Sequence, residues 1–205
     1  MNSIDSLLKY KIMGLVRTTD QVTGQAMADA MVDAGIRAIE ITLTTPGALN
    51  IVEKLSENKD LTVGVGTVVS KKDVKESFKA GAKFIVSPNT DVDVIERTKK
   101  LRMVSMPGIA TATEVGSAIN AGADILKLFP ASTYGPTHLK ALRDPYPNRL
   151  WCPTGGITLG SVDDWFAAGA NLIGLGGPLT KGGLDKVKEN VIAFMGAVSS
   201  ASKVG

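Results

Sequence analysis

A chain of 205 residues is long enough to bury a sizeable core and short for a multidomain enzyme, and its 44% hydrophobic and 21% charged composition is that of an ordinary folded protein. Its 23 basic residues barely exceed its 20 acidic ones and are scattered, which leaves no electrostatic footprint for nucleic acid, and no apolar run reaches membrane-spanning length. One cysteine, Cys152, excludes an intrachain disulfide framework, and with one histidine, His138, no cluster with zinc-ligand spacing can be drawn.

The segment Met1-Asn-Ser-Ile-Asp-Ser-Leu-Leu-Lys-Tyr10 lacks the charged start and long apolar stretch of a signal peptide, so a cytoplasmic location is expected. From there on, short β-rich runs alternate with helix-length amphipathic segments, the pattern of βα units on a parallel sheet. Strands are predicted over 12–17, 38–43, 62–68, 84–87, 103–107, 125–129, 150–153 and 172–176. Helices are predicted over 21–34, 47–57, 71–80, 92–100, 113–121, 137–143, 161–168 and 184–198. Met27 and Met31 fit the apolar face of the first of these. Eight strand and helix pairs predict an α/β fold, a (β/α)8 TIM barrel, with 1–205 as a single domain. Residues 199–205 are small and polar enough to fray.

An internal repeat supports the barrel: Asp33-Ala-Gly35-Ile-Arg-Ala-Ile-Glu40, Lys79-Ala-Gly81-Ala-Lys-Phe-Ile-Val86, Asn120-Ala-Gly122-Ala-Asp-Ile-Leu-Lys127 and Ala167-Ala-Gly169-Ala-Asn-Leu-Ile-Gly174. Each copy ends a helix with glycine and enters an even-numbered strand, as four units around a pseudo-fourfold axis would. Five residues after each glycine stand Glu40, Val86, Lys127 and Gly174, and alternate strands of such a barrel share one interior layer. Glu40 and Lys127 should therefore face each other. The strand period of two turns Ala38, Glu40 and Thr42 inward and leaves Ile39, Ile41 and Leu43 for the helices; Lys127 points inward between outward Leu126 and Leu128. Gly174 adds no side chain to the layer and would leave room there for a substrate carbonyl.

Lys127 lies within Asp124-Ile-Leu-Lys127-Leu-Phe-Pro130, an apolar run where an ammonium is costly unless paired or neutralised. It is either half of a buried ion pair with Glu40 or a desolvated, nucleophilic amine able to form a Schiff base. Ionisable groups inside TIM barrels gather at active sites, which favours chemistry and gives Glu40 proton transfer. Arg17, at the end of strand one, is a carboxylate clamp or a plain surface arginine. Thr44, Thr45 and Thr67 bring hydroxyls to the same face, where they serve equally as strand ends or helix caps. The turns Pro153-Thr154-Gly155-Gly156-Ile157 and Gly174-Leu-Gly176-Gly177-Pro178 follow strands seven and eight, where barrels bind phosphate through unhindered N–H groups. Glycines there also suit tight turns with positive φ. His138 reads as a helix-surface residue near the mouth, and Trp151 and Cys152 as strand and core residues.

Taken in order, Glu40-Ile-Thr-Leu43, Gly64-Val-Gly-Thr67-Val68, Val86-Ser-Pro88-Asn89, Met106-Pro-Gly108, Lys127-Leu-Phe-Pro130-Ala131 and Pro153-Thr-Gly-Gly156-Ile157 resemble one family over essentially the whole chain. It is that of the 2-keto-3-deoxy-6-phosphogluconate / 4-hydroxy-2-oxoglutarate (KDPG/KHG) aldolases, class I enzymes on a (β/α)8 barrel. The resemblance implies Lys127 as the Schiff-base lysine, Glu40 as general acid/base and Thr67 as a contact at the pyruvate end. It makes Pro107 and Gly108 part of the pocket wall, with Thr154, Gly155, Gly156, Gly176 and Gly177 lining the distal, phosphate end. It further implies a carbon-carbon lyase of the Entner-Doudoroff type that needs no metal or other cofactor. The expected partners are a phosphorylated 2-keto-3-deoxy acid and pyruvate, and copies of the chain itself in a homotrimer; neither nucleic acid nor membrane is among them.

Two departures stand out. Thr44 replaces an arginine that some members have, which leaves Arg17 as the carboxylate clamp, and Gly177-Pro178 stands where many members have serine. The segment Thr133-Tyr-Gly-Pro136 resembles the branch that includes the galactonate-derived substrate. A phosphosugar epimerase or isomerase, or a non-catalytic phosphometabolite-binding scaffold, on the same barrel are the competing expectations.

Overall fold

The computed structural model describes residues 3–201. In chain order it contains α1 (Ser3–Tyr10), β1 (Ile12–Val16), α2 (Gln21–Asp33), β2 (Ala38–Thr42), α3 (Ala48–Ser56), β3 (Thr62–Gly66) and α4 (Lys71–Lys79). Next come β4 (Phe84–Val86), α5 (Val92–Lys100), β5 (Val104–Met106), β6 (Gly108–Ile109), α6 (Ala112–Asn120), β7 (Ile125–Leu128) and α7 (Ala131–Arg143). The chain ends with β8 (Leu150–Trp151), α8 (Val162–Ala167), β9 (Ile173–Leu175), α9 (Gly177–Thr180) and α10 (Val187–Ala201). Ser199 to Ala201, expected to fray, are the last turn of α10; the rest of that tail lies outside the described residues.

Side chains placed just before the helices explain where several begin. Asp20, Ser70 and Asp91 accept hydrogen bonds from the N–H groups of Thr23, Asp73 and Val94, and Thr111 with Glu114 forms a reciprocal capping box before α6. The helix ends explain the repeat. Gly35, Gly81, Gly122 and Gly169 all have left-handed backbone, with φ between 92° and 114°. After each, the next N–H reaches back five residues: Ile36 to Met31, Ala82 to Ser77, Ala123 to Ala118 and Ala170 to Trp165. The four copies are thus four Schellman caps, each aiming the chain from a helix into a strand.

The sheets are parallel, one of six strands in the order β5-β4-β3-β2-β1-β9 and one of three in the order β6-β7-β8. The expected α/β fold with parallel strands is therefore present, laid out as two ladders. Pro107 lacks an N–H, so the predicted fifth strand divides there into β5 and β6. Hydrogen bonds still cross the division: Asp124 N–H donates to Ser105 O at 3.0 Å and Lys127 N–H to Pro107 O at 2.9 Å. On the other flank a single parallel bridge joins Thr154 to Gly174.

Two layers of core follow. Ile39, Ile41, Leu126 and Leu128 pack against the helices with Met27 and Met31 of α2. A second cluster draws on both sheets, with Met13, Ala38, Phe84, Val86, Met106, Ile125, Cys152 and Leu172. Leu7 of α1, fully buried, joins this inner cluster; a leucine buried in that way stabilises by about 1.5–3 kcal/mol. The sequence pattern did not signal α1 as a structural element. Among the described residues no helix is long and apolar enough to cross a membrane.

Candidate active site

Glu40 is the middle residue of β2, paired with Leu15 of β1 and Gly64 of β3, and is 1% exposed. Its carboxyl lies against Gly66, where an added Cβ would coincide with it. A glycine at 66 is what lets the acid lie flat along the neighbouring strand. Lys127 is paired with Gly108 across β6 and β7 and is 5% exposed. Its ammonium nitrogen stands 4.6 Å from the centre of the Phe129 ring, a cation–π contact.

The ion-pair explanation of Lys127 fails on geometry. Among the described residues, no carboxylate comes within 4.0 Å of Lys127 Nζ, and Glu40 Oε2 is buried without a hydrogen-bond partner. Buried polar atoms are nearly always satisfied, so an acid and an amine left unpaired in one interior are poised for something that comes between them. Burial pushes the Glu40 carboxyl above its ordinary range, against the opposing pull of the Lys127 and Arg17 cations.

Three neighbours lie around this pair. Arg17, exposed just after β1, donates from Nη2 to Thr67 Oγ1 at 3.3 Å. Thr67, just after β3, has left-handed backbone with φ of 59°, a conformation that costs a β-branched residue about 1–2 kcal/mol. Pro107 and Gly108 are buried against Lys127, and the backbone of Pro88 sits where a side chain at 108 would go. Cys152 lies in the same interior, where burial pushes its thiol up to about 12 and keeps it protonated.

One expectation needs correction. Gly174 does not leave an open space in the layer, because the side chain of Thr154 fills it. Thr154 is itself 3% exposed and donates to Cys152 O at 3.4 Å. Other threonines are also tied into the mouth: Thr45 Oγ1 accepts from Thr18 N–H at 3.2 Å, and Thr42 Oγ1 lies 3.0 Å from Thr44 Oγ1.

The glycine turns form the other end. Gly155 and Gly156 have φ of 98° and 76°, so both need the freedom of glycine. Ala131 N–H donates to Thr154 O and Ser132 N–H to Gly155 O, both at 2.9 Å, which ties the first turn to α7. Gly155 follows the parallel Thr154–Gly174 bridge, which engages its N–H, whereas among the described residues the N–H groups of Gly156, Gly176 and Gly177 have no acceptor. A cleft of 610 Å³ borders Gly156 and Gly177. No motif pointed to Lys181, which lines this cleft just after α9, or to Ser132, packed against Gly156.

His138 is half-buried rather than on the surface. Its Nε2 is 2.7 Å from Ala110 O, and Tyr134 stacks on its ring at 4.8 Å. The segment that carries it starts where predicted, because α7 is interrupted at Gly135, where φ is 77°, and a separate turn from Ala131 precedes the break. No group of three or more His, Cys, Asp or Glu side chains among the described residues could hold a metal.

Residues 4–193 match the family model for the KDPG and KHG aldolases. The chain belongs to the KDPG/KHG aldolase family. As a member it is an aldehyde-lyase that works without a metal. It is 34% identical over 177 residues to the 2-dehydro-3-deoxy-phosphogluconate aldolase of Pseudomonas aeruginosa, covering 85% of this chain and 80% of that one. It is 32% identical to the 2-dehydro-3-deoxy-6-phosphogalactonate aldolase of Escherichia coli, covering 94% and 97%. The solved native KDPGal structure superimposes with a TM-score of 0.88 at 31% identity, over 94% of this chain and 96% of that one. The KDPG/KHG aldolase relatives thus span both sugar-acid series.

Proposed function

We propose that this chain cleaves a 2-keto-3-deoxy-6-phospho sugar acid to pyruvate and an aldehyde such as glyceraldehyde 3-phosphate, through a Schiff base on Lys127. The observation that carries the reading is the pair of buried, mutually unbonded groups, Glu40 and Lys127. The phosphogluconate and phosphogalactonate aldolases that the chain resembles supply the substrate class.

The Lys127 nitrogen adds through its lone pair to the ketone at carbon 2 of the substrate. Glu40, whose carboxyl holds its proton to higher pH than usual, gives that proton to the carbinolamine hydroxyl, which leaves as water. The iminium then accepts the electron pair of the bond between carbons 3 and 4 as a base takes the proton from the carbon 4 hydroxyl. Aldehyde departs and an enamine remains. Protonation at carbon 3 and addition of water release pyruvate and return the free amine. Arg17 and Thr67 take the substrate carboxylate, Pro107 and Gly108 form the wall behind the ketone, and Thr154 leads toward the distal, phosphate end. Gly155 lines the distal end, where Gly156, Gly176 and Gly177 offer N–H groups to the phosphate.

In this reading the two parallel ladders act as one (β/α)8 barrel in a single domain over 1–205, joined by the bonds from Asp124 and Lys127 and by the Thr154 bridge. The working form is a homotrimer in the cytoplasm, which sedimentation and fractionation would check. The chemistry is tested by mixing protein with pyruvate and borohydride. One reduced adduct on Lys127 is expected; no adduct, or an adduct that persists in Lys127→Ala, would overturn the mechanism. An epimerase or isomerase working by proton transfer alone would trap nothing.

A further inference from the structure

We infer that Lys181 holds the terminal anion of the substrate in this chain. The inference rests on the aldolase reading and assigns its distal end. Gly177 has no side chain and Pro178 has no N–H, so the turn after β9 offers a phosphate little beyond the amides of Gly176 and Gly177. A phosphate carries nearly two negative charges and three acceptor oxygens, which neutral amides satisfy only in part. A cation is needed nearby.

Lys181 follows α9 directly and lines the same 610 Å³ cleft as Gly156 and Gly177. It is the one charged side chain among the described residues lining that cleft, and none of the described carboxylates pairs with it. Its backbone is held in place. Asn190 Nδ2 donates to Lys181 O at 2.9 Å and to Leu179 O at 3.1 Å, so α10 anchors the peptide while the ammonium stays free to reach into the cleft. Above Gly177 the space is open, since an added Cβ would meet nothing within 4 Å. Ile157, Leu159 and Phe194 give the cleft an apolar side. An anionic head on a short carbon chain suits such a cleft.

A lysine acts here as a point charge, whereas a serine would act by directed hydrogen bonding. Binding that depends on Lys181 should therefore weaken with salt. The probe is glycerol 3-phosphate, titrated into wild type, Lys181→Ala and Lys181→Arg, with glycerol as the uncharged control. Lys181→Ala should weaken glycerol 3-phosphate binding about tenfold and flatten its salt dependence, while Lys181→Arg keeps most of both. In turnover, Lys181→Ala should raise KM for the 6-phosphorylated acid and leave the unphosphorylated acid unchanged. Equal affinity in Lys181→Ala, or no binding of glycerol 3-phosphate by wild type, overturns the assignment, as does an equal loss on both acids. Borohydride trapping with pyruvate keeps the two ideas apart. Lys181-dependent binding without a pyruvate adduct would sink the aldolase reading alone, and an adduct with Lys181-independent binding would sink this inference alone.

Discussion

At the carbonyl end, Glu40 and Lys127 are 1% and 5% exposed, each held in the middle of a paired strand. At the distal end, Gly156, Gly177 and Lys181 are exposed, and the groups on offer are turn amides and one flexible ammonium. On the proposed reading, the contrast follows from what each end must do. Covalent chemistry needs a dry, fixed environment, which strands buried on both faces provide. Recognition of a terminal anion tolerates solvent, and loops can change it without disturbing the strands.

Substitutions at the two ends should separate in size. The largest effect belongs to Lys127→Ala, which removes the nucleophile and should take pyruvate release to background with the fold retained by circular dichroism. Glu40→Gln should lower kcat by about 10²–10⁴-fold, because an amide cannot shuttle the proton. It carries a second signature in stability. Because the folded Glu40 carboxyl sits above its ordinary value of 4.5, wild type loses stability as pH rises from there through the folded pKa. Glu40→Gln has no such loss, so denaturation midpoints should shift in favour of the variant as pH rises across that window; a pH-independent gap would refute the buried-acid description.

Gly66→Ala tests positioning at the same end. Its Cβ would displace the Glu40 carboxyl, and a misplacement of about 1 Å should cost roughly 10²-fold in turnover. Steady-state rates with an unchanged Lys127 adduct yield on long incubation would check this. The smallest effect is expected at the distal end. Gly177→Ser meets open space, so stability should stay within about 0.5 kcal/mol, with only a few-fold gain for the phosphorylated acid over the unphosphorylated one. A large loss of stability there would show that the distal turn is as tightly built as the carbonyl end.

Legibility in the sequence followed the range of the interactions. The four Ala-Gly helix ends were readable because a Schellman cap is local, and the inward setting of Glu40 and Lys127 was readable because a strand alternates by two. The break at Pro107 was readable in principle from its missing N–H, yet the apolar run around it hid the division. The helix α1 escaped notice because only packing of Leu7 into the inner cluster gives it a place. The filling of the Gly174 gap by Thr154 was hidden for a related reason, since two residues on neighbouring strands meet only once register and twist are set.

By itself the sequence determined the alternation of strands and helices, the repeat that places an acid and an amine in one layer, and the family motifs that name their chemistry. Tertiary structure alone decided that Glu40 and Lys127 form no ion pair, that Arg17 reaches Thr67, and that Lys181 shares a cleft with the glycine turns. Periodicity and capping act over a few residues and leave their mark in composition, whereas the separation of side chains on distant strands depends on how the whole core packs.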